Sequence, residues 1–303
     1  VNFGPIVFLA TFFALAASWC GFVLAPQMQV GQLGQTNTVP PGATYPLARP
    51  GQAAQGAQVY RANGCVYCHS QQVTQTGTVC DVLVTDPGTN QAAAIAALIQ
   101  LRPELHDGDV KALIANLPAH VLQGVTKEGA DAATKLLNAT SAKAQLLIVP
   151  TGPDIARGWG KRRSVAEDFL FDTPAMPGSQ RVGPDLANVG ARLPDANWHL
   201  RHLYAPRMDV KESTMPPYRF LFEKRKIEYR PSPDALVLPP ELAPPAGYEI
   251  VPTPAARALV AYLLSLRSDA PIFSAPYTTL AAPANNGGTN APAGQAATNA
   301  PAK

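Results

Sequence analysis

Five consecutive residues, Cys65-Val66-Tyr67-Cys68-His69, carry the most specific chemistry in this chain. Two thiols two residues apart, with a histidine directly after the second, form the attachment signature of a c-type haem. Each thiol adds to one vinyl group of the porphyrin, and the imidazole then sits under the iron as proximal ligand. A C-x-x-C pair alone also suits a zinc half-site or a redox dithiol. The following histidine, and the lack of a second Cys pair, argue against both. Two structural cysteines beside an incidental histidine are the bland alternative. The expectation is one covalent haem on Cys65 and Cys68 with His69 bound to iron.

Such an iron leaves its sixth position to a methionine, a second histidine or an open site; a thioether raises the potential and suits electron transfer. Of the four methionines, Met28 lies at the end of an apolar stretch, and Met176 and Met208 read as core or surface residues. Met215 lies in a loop stiffened by Pro216 and Pro217, ahead of the terminal helix, and is the leading candidate. His199 or His202, three apart on one helix face, remains the alternative.

The elements that position these groups occupy only part of the chain. A monohaem module needs about 100 residues on the usual domain scale, and the sequence has 303. Charged residues make up 15%, prolines number 31, and the formal charge is +3. That balance, without a basic stripe, gives no reason to expect nucleic acid as a partner. Beyond the motif only Cys20 and Cys80 remain, so there is no disulfide framework; Cys80 reads as a buried thiol. Phe3 to Ala25 contains no charge, enough apolar residues to cross a bilayer. It lacks a basic leading region and a small-residue cleavage site, so it reads as a retained anchor (1–25) rather than a signal peptide.

Residues 26–51 read as an extended tether. Gln52 to Asn63 reads as a helix closed by Gly64, with Gly56 and Tyr60 on one face. The stretch 74–153 reads as a small helical satellite, with helices over 91–101, 108–117 (Asp107 as N-cap) and 129–137, and with His106 and His120 isolated. Ser164 to Glu167 reads as a capping box, and Asp195 caps a helix that Pro206 stops. Glu223 to Arg230 is a mixed charge run, and Pro231 to Pro252 a stretch without regular structure. Thr253 then caps a helix ending near Leu266, whose Leu259, Tyr262, Leu263 and Leu266 should pack on the helix before the haem motif. Residues 269–303 read as a disordered tail.

The helix leading into the motif, with its small residue and its aromatic, resembles that of class I c-type cytochromes. Several further stretches narrow the resemblance. Cys65-Val66-Tyr67-Cys68-His69-Ser70-Gln71, Gly183-Pro184-Asp185-Leu186-Ala187-Asn188-Val189-Gly190, Trp198-His199-Leu200-Arg201-His202-Leu203 with Pro206-Arg207, Glu212-Ser213-Thr214-Met215-Pro216-Pro217-Tyr218 and Ala258 to Leu263 occur in one order. This set is similar to the membrane-anchored monohaem subunit of cbb3-type cytochrome c oxidases. The resemblance covers the anchor and roughly 50–73, 154–222 and 253–267; the segment 74–153 departs from it as an insertion.

The resemblance implies a mainly α fold: one transmembrane helix and a class I cytochrome c-like helical domain (52–268) with a helical insertion and irregular proline-rich segments. It implies Met215 as the distal iron ligand and Pro184 as the carbonyl that fixes the proximal histidine. Arg181, Arg201 and Arg207 become candidate contacts for the haem propionates. Expected partners are a haem–copper catalytic subunit, a further cytochrome c subunit, a donor cytochrome c and the lipid bilayer. The implied function is relay of single electrons toward the oxygen-reducing subunit, not catalysis by this chain alone. Attachment of c-type haem takes place outside the cytoplasm, so the haem domain should lie on the periplasmic face of a bacterial cytoplasmic membrane. A nitric oxide reductase-like cytochrome subunit and a haem-based gas sensor are the alternatives.

Overall fold

The computed structural model describes residues 2–38, 42–49 and 51–272. Helix α1 (Gly4–Trp19) opens the chain and continues through a π-turn (Cys20–Leu24) into α2 (Ala25–Val30). The wide turn has a local cause. Pro26 has no N–H and its ring crowds the carbonyl one turn back, and a π-turn lets the helix bypass that clash. The Ala25 N–H accordingly reaches back to the Cys20 carbonyl. The most apolar 18-residue stretch within Gly4–Gln29 has a mean hydropathy of 2.1, and none of it is buried against the rest of the protein. Among the described residues this is the one helix long and apolar enough to span a bilayer. It runs about one turn into the segment expected to be tether.

The remainder of that segment folds back. Strands β1 (Thr36–Asn37) and β2 (Thr44–Tyr45) pair antiparallel. The Tyr45 hydroxyl donates to Asp168 at 2.8 Å beneath the Arg162 guanidinium, and Arg49 pairs with Asp172 and lies over the Tyr262 ring. The chain between the N-terminal helix and the folded domain is therefore clipped to that domain.

Two hydrophobic cores follow. The first is organised by α3 (Gln52–Ala62), which leads to the haem motif. Its Gly56 faces the terminal helix so closely that a Cβ there would lie 1.8 Å from the Ala258 carbonyl oxygen and 2.7 Å from the Tyr262 Cβ. Tyr60, one turn on, meets Tyr262 with ring centroids 5.3 Å apart. Both tyrosines and Leu259 are almost fully buried, and burial of each such side chain contributes about 1.5–3 kcal/mol.

The second core belongs to the inserted segment. Strand β3 (Gly77–Asp86) is central, flanked by β4 (Ala119–Val125) and β5 (Lys143–Thr151), both antiparallel to it. Helices α4 (Gln91–Leu101), α5 (Asp107–Ala115) and α6 (Lys127–Asn138) cover one face. The three expected helices are present, but the insertion is an α/β unit rather than a purely helical satellite. The missed signal is a period of two: Cys80, Val82 and Val84 point inward and are buried, while Val79, Asp81 and Leu83 face the other way. Alanine-rich helices on either side masked that short alternation. His106 is the residue preceding α5, and His120 pairs with Asp81 at 3.3 Å.

The chain re-enters the first core through α7 (Pro153–Ala156), α8 (Val189–Arg192), α9 (Ala196–Tyr204) and α10 (Pro206–Asp209). Asp195 caps α9 by accepting the Asn197 N–H at 2.9 Å. The capping box expected at Ser164 lies elsewhere. The Ser164 hydroxyl accepts the Val73 N–H, and Asp168 accepts that of Val165, opening a 3-10 turn over Ala166–Phe169. The first half of the charge run, Glu223 to Lys226, lies in β6 (Phe222–Lys226), paired with β7 (Tyr248–Pro252). Strand β7 corrects the expectation of irregular structure through Pro252: Ile250 and Val251 suit a buried strand. Thr253 caps α11 (Pro254–Ser265) through the Ala256 N–H. Residues 269–272 of the expected tail pack on the domain instead. Ile272 is buried and the Ala270 carbonyl accepts from Arg162; the tail beyond Ile272 lies outside the described residues.

Candidate haem site

Gly64, in the left-handed region at φ +69°, ends α3 and starts a 3-10 turn over Cys65–Tyr67. A residue with a Cβ rarely adopts that conformation. The N–H groups of Cys68 and His69 both return to the Cys65 carbonyl, at 3.2 and 3.0 Å. In such a turn residues three apart fall on one side, which brings the two thiols of the motif together. Both are free; Cys68 is exposed and Cys65 half-buried. Burial pushes the Cys65 thiol up to about 11, so it stays protonated at neutral pH.

Residues 68–71 are then stitched to the loop from Pro177 to Leu186. Gln71 N–H donates to Pro177, Gly183 N–H to Cys68 and Leu186 N–H to Ser70, all at 2.8–2.9 Å. Two glycines make this approach possible. At Gly178 a Cβ would lie 2.4 Å from the His69 carbonyl oxygen, and at Gly183 one would lie 2.3 Å from the ring carbon Cε1. The His69 ring fits where the Gly183 side chain would be. Its Nδ1 lies 2.8 Å from the Pro184 carbonyl, so Nδ1 carries the proton and donates it. Among the described residues Nε2 has no hydrogen-bond partner, and its lone pair is available. Burial lowers the His69 pKa, outweighing the Pro184 bond that opposes it, and holds the ring neutral, as a metal ligand must be.

Met215 is half-buried and packs on the first core together with Cys65, Val66 and Tyr218. Its loop is held at both ends. The Met215 N–H donates to Ser213 Oγ at 3.3 Å, and the Tyr218 N–H to the Leu203 carbonyl of α9 at 2.8 Å. Met176 is buried and lines a cavity of about 300 Å³ beside Arg61, Val66 and Tyr67. Met208 lies on α10, and Met28 is exposed on the N-terminal helix. His199 is a satisfied core histidine, its Nε2 2.8 Å from the Leu193 carbonyl. His202 stacks on Trp198 at 4.7 Å, and its Nδ1 is 3.9 Å from Asp209. Burial lowers the pKa of both histidines.

The three arginines singled out from the sequence do not converge. Arg181 is engaged by Asp154 at 2.9 Å and by Ser70, Arg201 by Asp209 at 3.1 Å, and Arg207 by the Ser213 carbonyl at 3.2 Å. What sequence reasoning missed is the polar layer under the motif: Ser70, Asp154 and Asp185 are all buried. The Ser after the motif and the Asp after Pro184 were visible as motif letters, but nothing in their spacing announced that they touch.

Among the described residues no group of three or more His, Cys, Asp or Glu side chains is placed to hold a metal ion. Two free thiols on one turn, an imidazole with fixed tautomer and available Nε2, and an apolar flank fit a covalently held haem. The model of the family "cytochrome c oxidase, mono-heme subunit/FixO" matches residues 91–237. That range begins after the thiol motif and takes in Pro184, the α9 histidines and Met215. Among curated proteins none matches the chain.

Proposed function

We propose that the chain is a member of the cytochrome c oxidase mono-heme subunit family, whose model matches residues 91–237, and that it is the electron-relay subunit of a cbb3-type terminal oxidase. It carries one haem c and passes single electrons from a donor cytochrome c, or from a further cytochrome c subunit, toward the haem–copper subunit that reduces oxygen. When bound, the haem supplies reversible one-electron exchange at iron.

The chain's own residues supply the setting. Cys65 and Cys68 would hold the macrocycle by two thioethers, and His69, its ring fixed by Pro184, would supply an imidazole ligand to the iron. Met215 would supply a thioether as the other ligand. The observation that carries the reading is the 2.8 Å contact between His69 Nδ1 and the Pro184 carbonyl, beside two free thiols on the same turn. Exposure of Cys68 and of Tyr67, at 70%, supports a haem edge near the surface, where a donor can approach. The N-terminal helix serves as a single-pass anchor, with the haem domain on the periplasmic side, where c-type haem is attached.

The test is purification through a tag on this chain from detergent-solubilised membranes. A haem–copper subunit is expected to accompany it, and the reduced c-type haem should reoxidise in air within the oxidase turnover time. A haem that stays reduced while the oxidase turns over would exclude the relay role.

A further inference from the structure

Beneath the Cys65–His69 turn two buried carboxylates, Asp154 and Asp185, flank the more exposed guanidinium of Arg181. Asp185 is 0% exposed. Its Oδ2 accepts the Ser70 hydroxyl at 2.5 Å and the Gln72 N–H at 2.8 Å, and its Oδ1 accepts the Ala187 N–H at 2.8 Å. Its own carbonyl accepts from Arg192 at 3.0 Å. One carboxylate thus binds the segment that follows His69 to the segment that follows Pro184. Arg181 completes the layer: Nε donates to Ser70 Oγ at 3.0 Å, and the guanidinium lies 2.9 Å from Asp154 and 3.8 Å from Asp185. It also donates to the Gln72 carbonyl and covers the Trp159 ring at 5.3 Å. Asp154, 2% exposed, accepts the Thr74 N–H and hydroxyl at 2.8 and 2.6 Å. Those bonds close the base of the inserted α/β unit, where Thr76 N–H meets Thr151 at 3.0 Å.

We propose that Asp185 is a positioning residue for the proximal ligand, and that the solvent-facing Arg181, 2.9 Å from Asp154 and 3.8 Å from Asp185, is a counter-charge to this carboxylate pair rather than a contact for a haem propionate. The proposal rests on the reading of His69 as the iron ligand. The geometry gives Asp185 two effects. It fixes the separation between residue 70 and residue 184, and so the Nδ1–H···O contact that orients the ring. It also places a carboxylate in a low-dielectric layer one residue from that contact, where its field on the imidazole is weakly screened. Negative potential there favours the more positive, ferric iron and lowers the reduction potential. Ser70 and Arg181 temper the effect by donating into the same layer.

The experiment is redox titration of the purified full-length complex carrying D185N or S70A. Asparagine keeps the shape and one acceptor but removes the charge, so the c-type potential should rise while the haem c spectrum persists. S70A leaves the carboxylate less compensated, so the potential should fall. Opposite signs separate a field from simple loosening, which would move both variants the same way. An unchanged or lowered potential in D185N with intact haem overturns the proposal. If D185N does not accumulate with haem, S70A decides, and an unchanged S70A potential overturns it. A wild-type complex without a histidine-ligated haem c would instead refute the reading of the site.

Discussion

Gly183→Ala is a one-methyl test of how the proximal histidine is held. No positive φ is required at Gly183, so alanine fails there only by collision. Its Cβ would lie 2.3 Å from His69 Cε1, 2.7 Å from Nδ1 and 2.9 Å from Nε2, against ordinary contact from 3.4 Å. The ring must therefore retreat by about 1.1 Å, the difference between 3.4 and 2.3 Å. Retreat of that size stretches the 2.8 Å contact with Pro184 beyond hydrogen-bonding range. A buried donor left unmade costs about 1–3 kcal/mol, and overpacking costs a similar amount. Taking about 2 kcal/mol, a domain of about 150–250 residues should melt about 4–8 °C lower. The assay is a thermal melt followed at the Soret band, with the ferric spectrum recorded alongside. G108A is the control, because a Cβ at Gly108 meets nothing within 4 Å. Wild-type melting and an unchanged spectrum in G183A would refute the idea that the ring occupies that space.

Gly56→Val should be worse, since its Cβ meets main chain of α11 at 1.8 Å. Separation of the two helices should cost more than the about 1–3 kcal/mol of ordinary overpacking and abolish accumulation of the haem-loaded chain, read by haem staining of membranes. Burial pushes the Asp154 carboxyl up, but the two Thr74 bonds and Arg181 outweigh it and hold the group below its ordinary range. A folded pKa below the unfolded one contributes stability at pH above about 3.9, lost as pH falls through the folded value. D154N should therefore lower the melting temperature at pH 7 and flatten the acid limb of the melting-temperature profile; parallel profiles would count against it. Removing 77–151 and joining Thr76 to Gly152 should leave the haem spectrum unchanged, because the insertion has its own core and its ends pair at Gly77 and Thr151. Loss of covalent haem in that deletion would show that the two cores are not separable.

The α3–α11 pairing and the helix caps at Asp195 and Thr253 were legible in the sequence, because each rests on helical spacing or on fixed residue types. Gly56 and Tyr60 could be placed on one face from helical spacing alone. The β strands of the insertion were harder to read: the alternation at Cys80, Val82 and Val84 spans only five residues, amid alanine-rich helices that fit a simpler pattern. The clip at Tyr45 and Arg49 depends on partners more than 120 residues away, and no local propensity encodes that. The same holds for Asp154, Arg181 and Asp185, whose roles come from tertiary convergence. Arginines read as free to meet propionates turn out to have carboxylate or carbonyl partners of their own.

The central claim, iron held between His69 and Met215 for electron relay, is tested most directly by the visible and near-infrared spectrum of the purified complex beside its Met215→Ala variant. The account predicts a c-type haem with a weak near-infrared thioether-to-iron band in the ferric wild type. In the variant the band should vanish and the potential drop, since the thioether favours the reduced iron. A wild type without that band, or one whose ferrous form binds carbon monoxide readily, would contradict the account and indicate an open or histidine-filled sixth position.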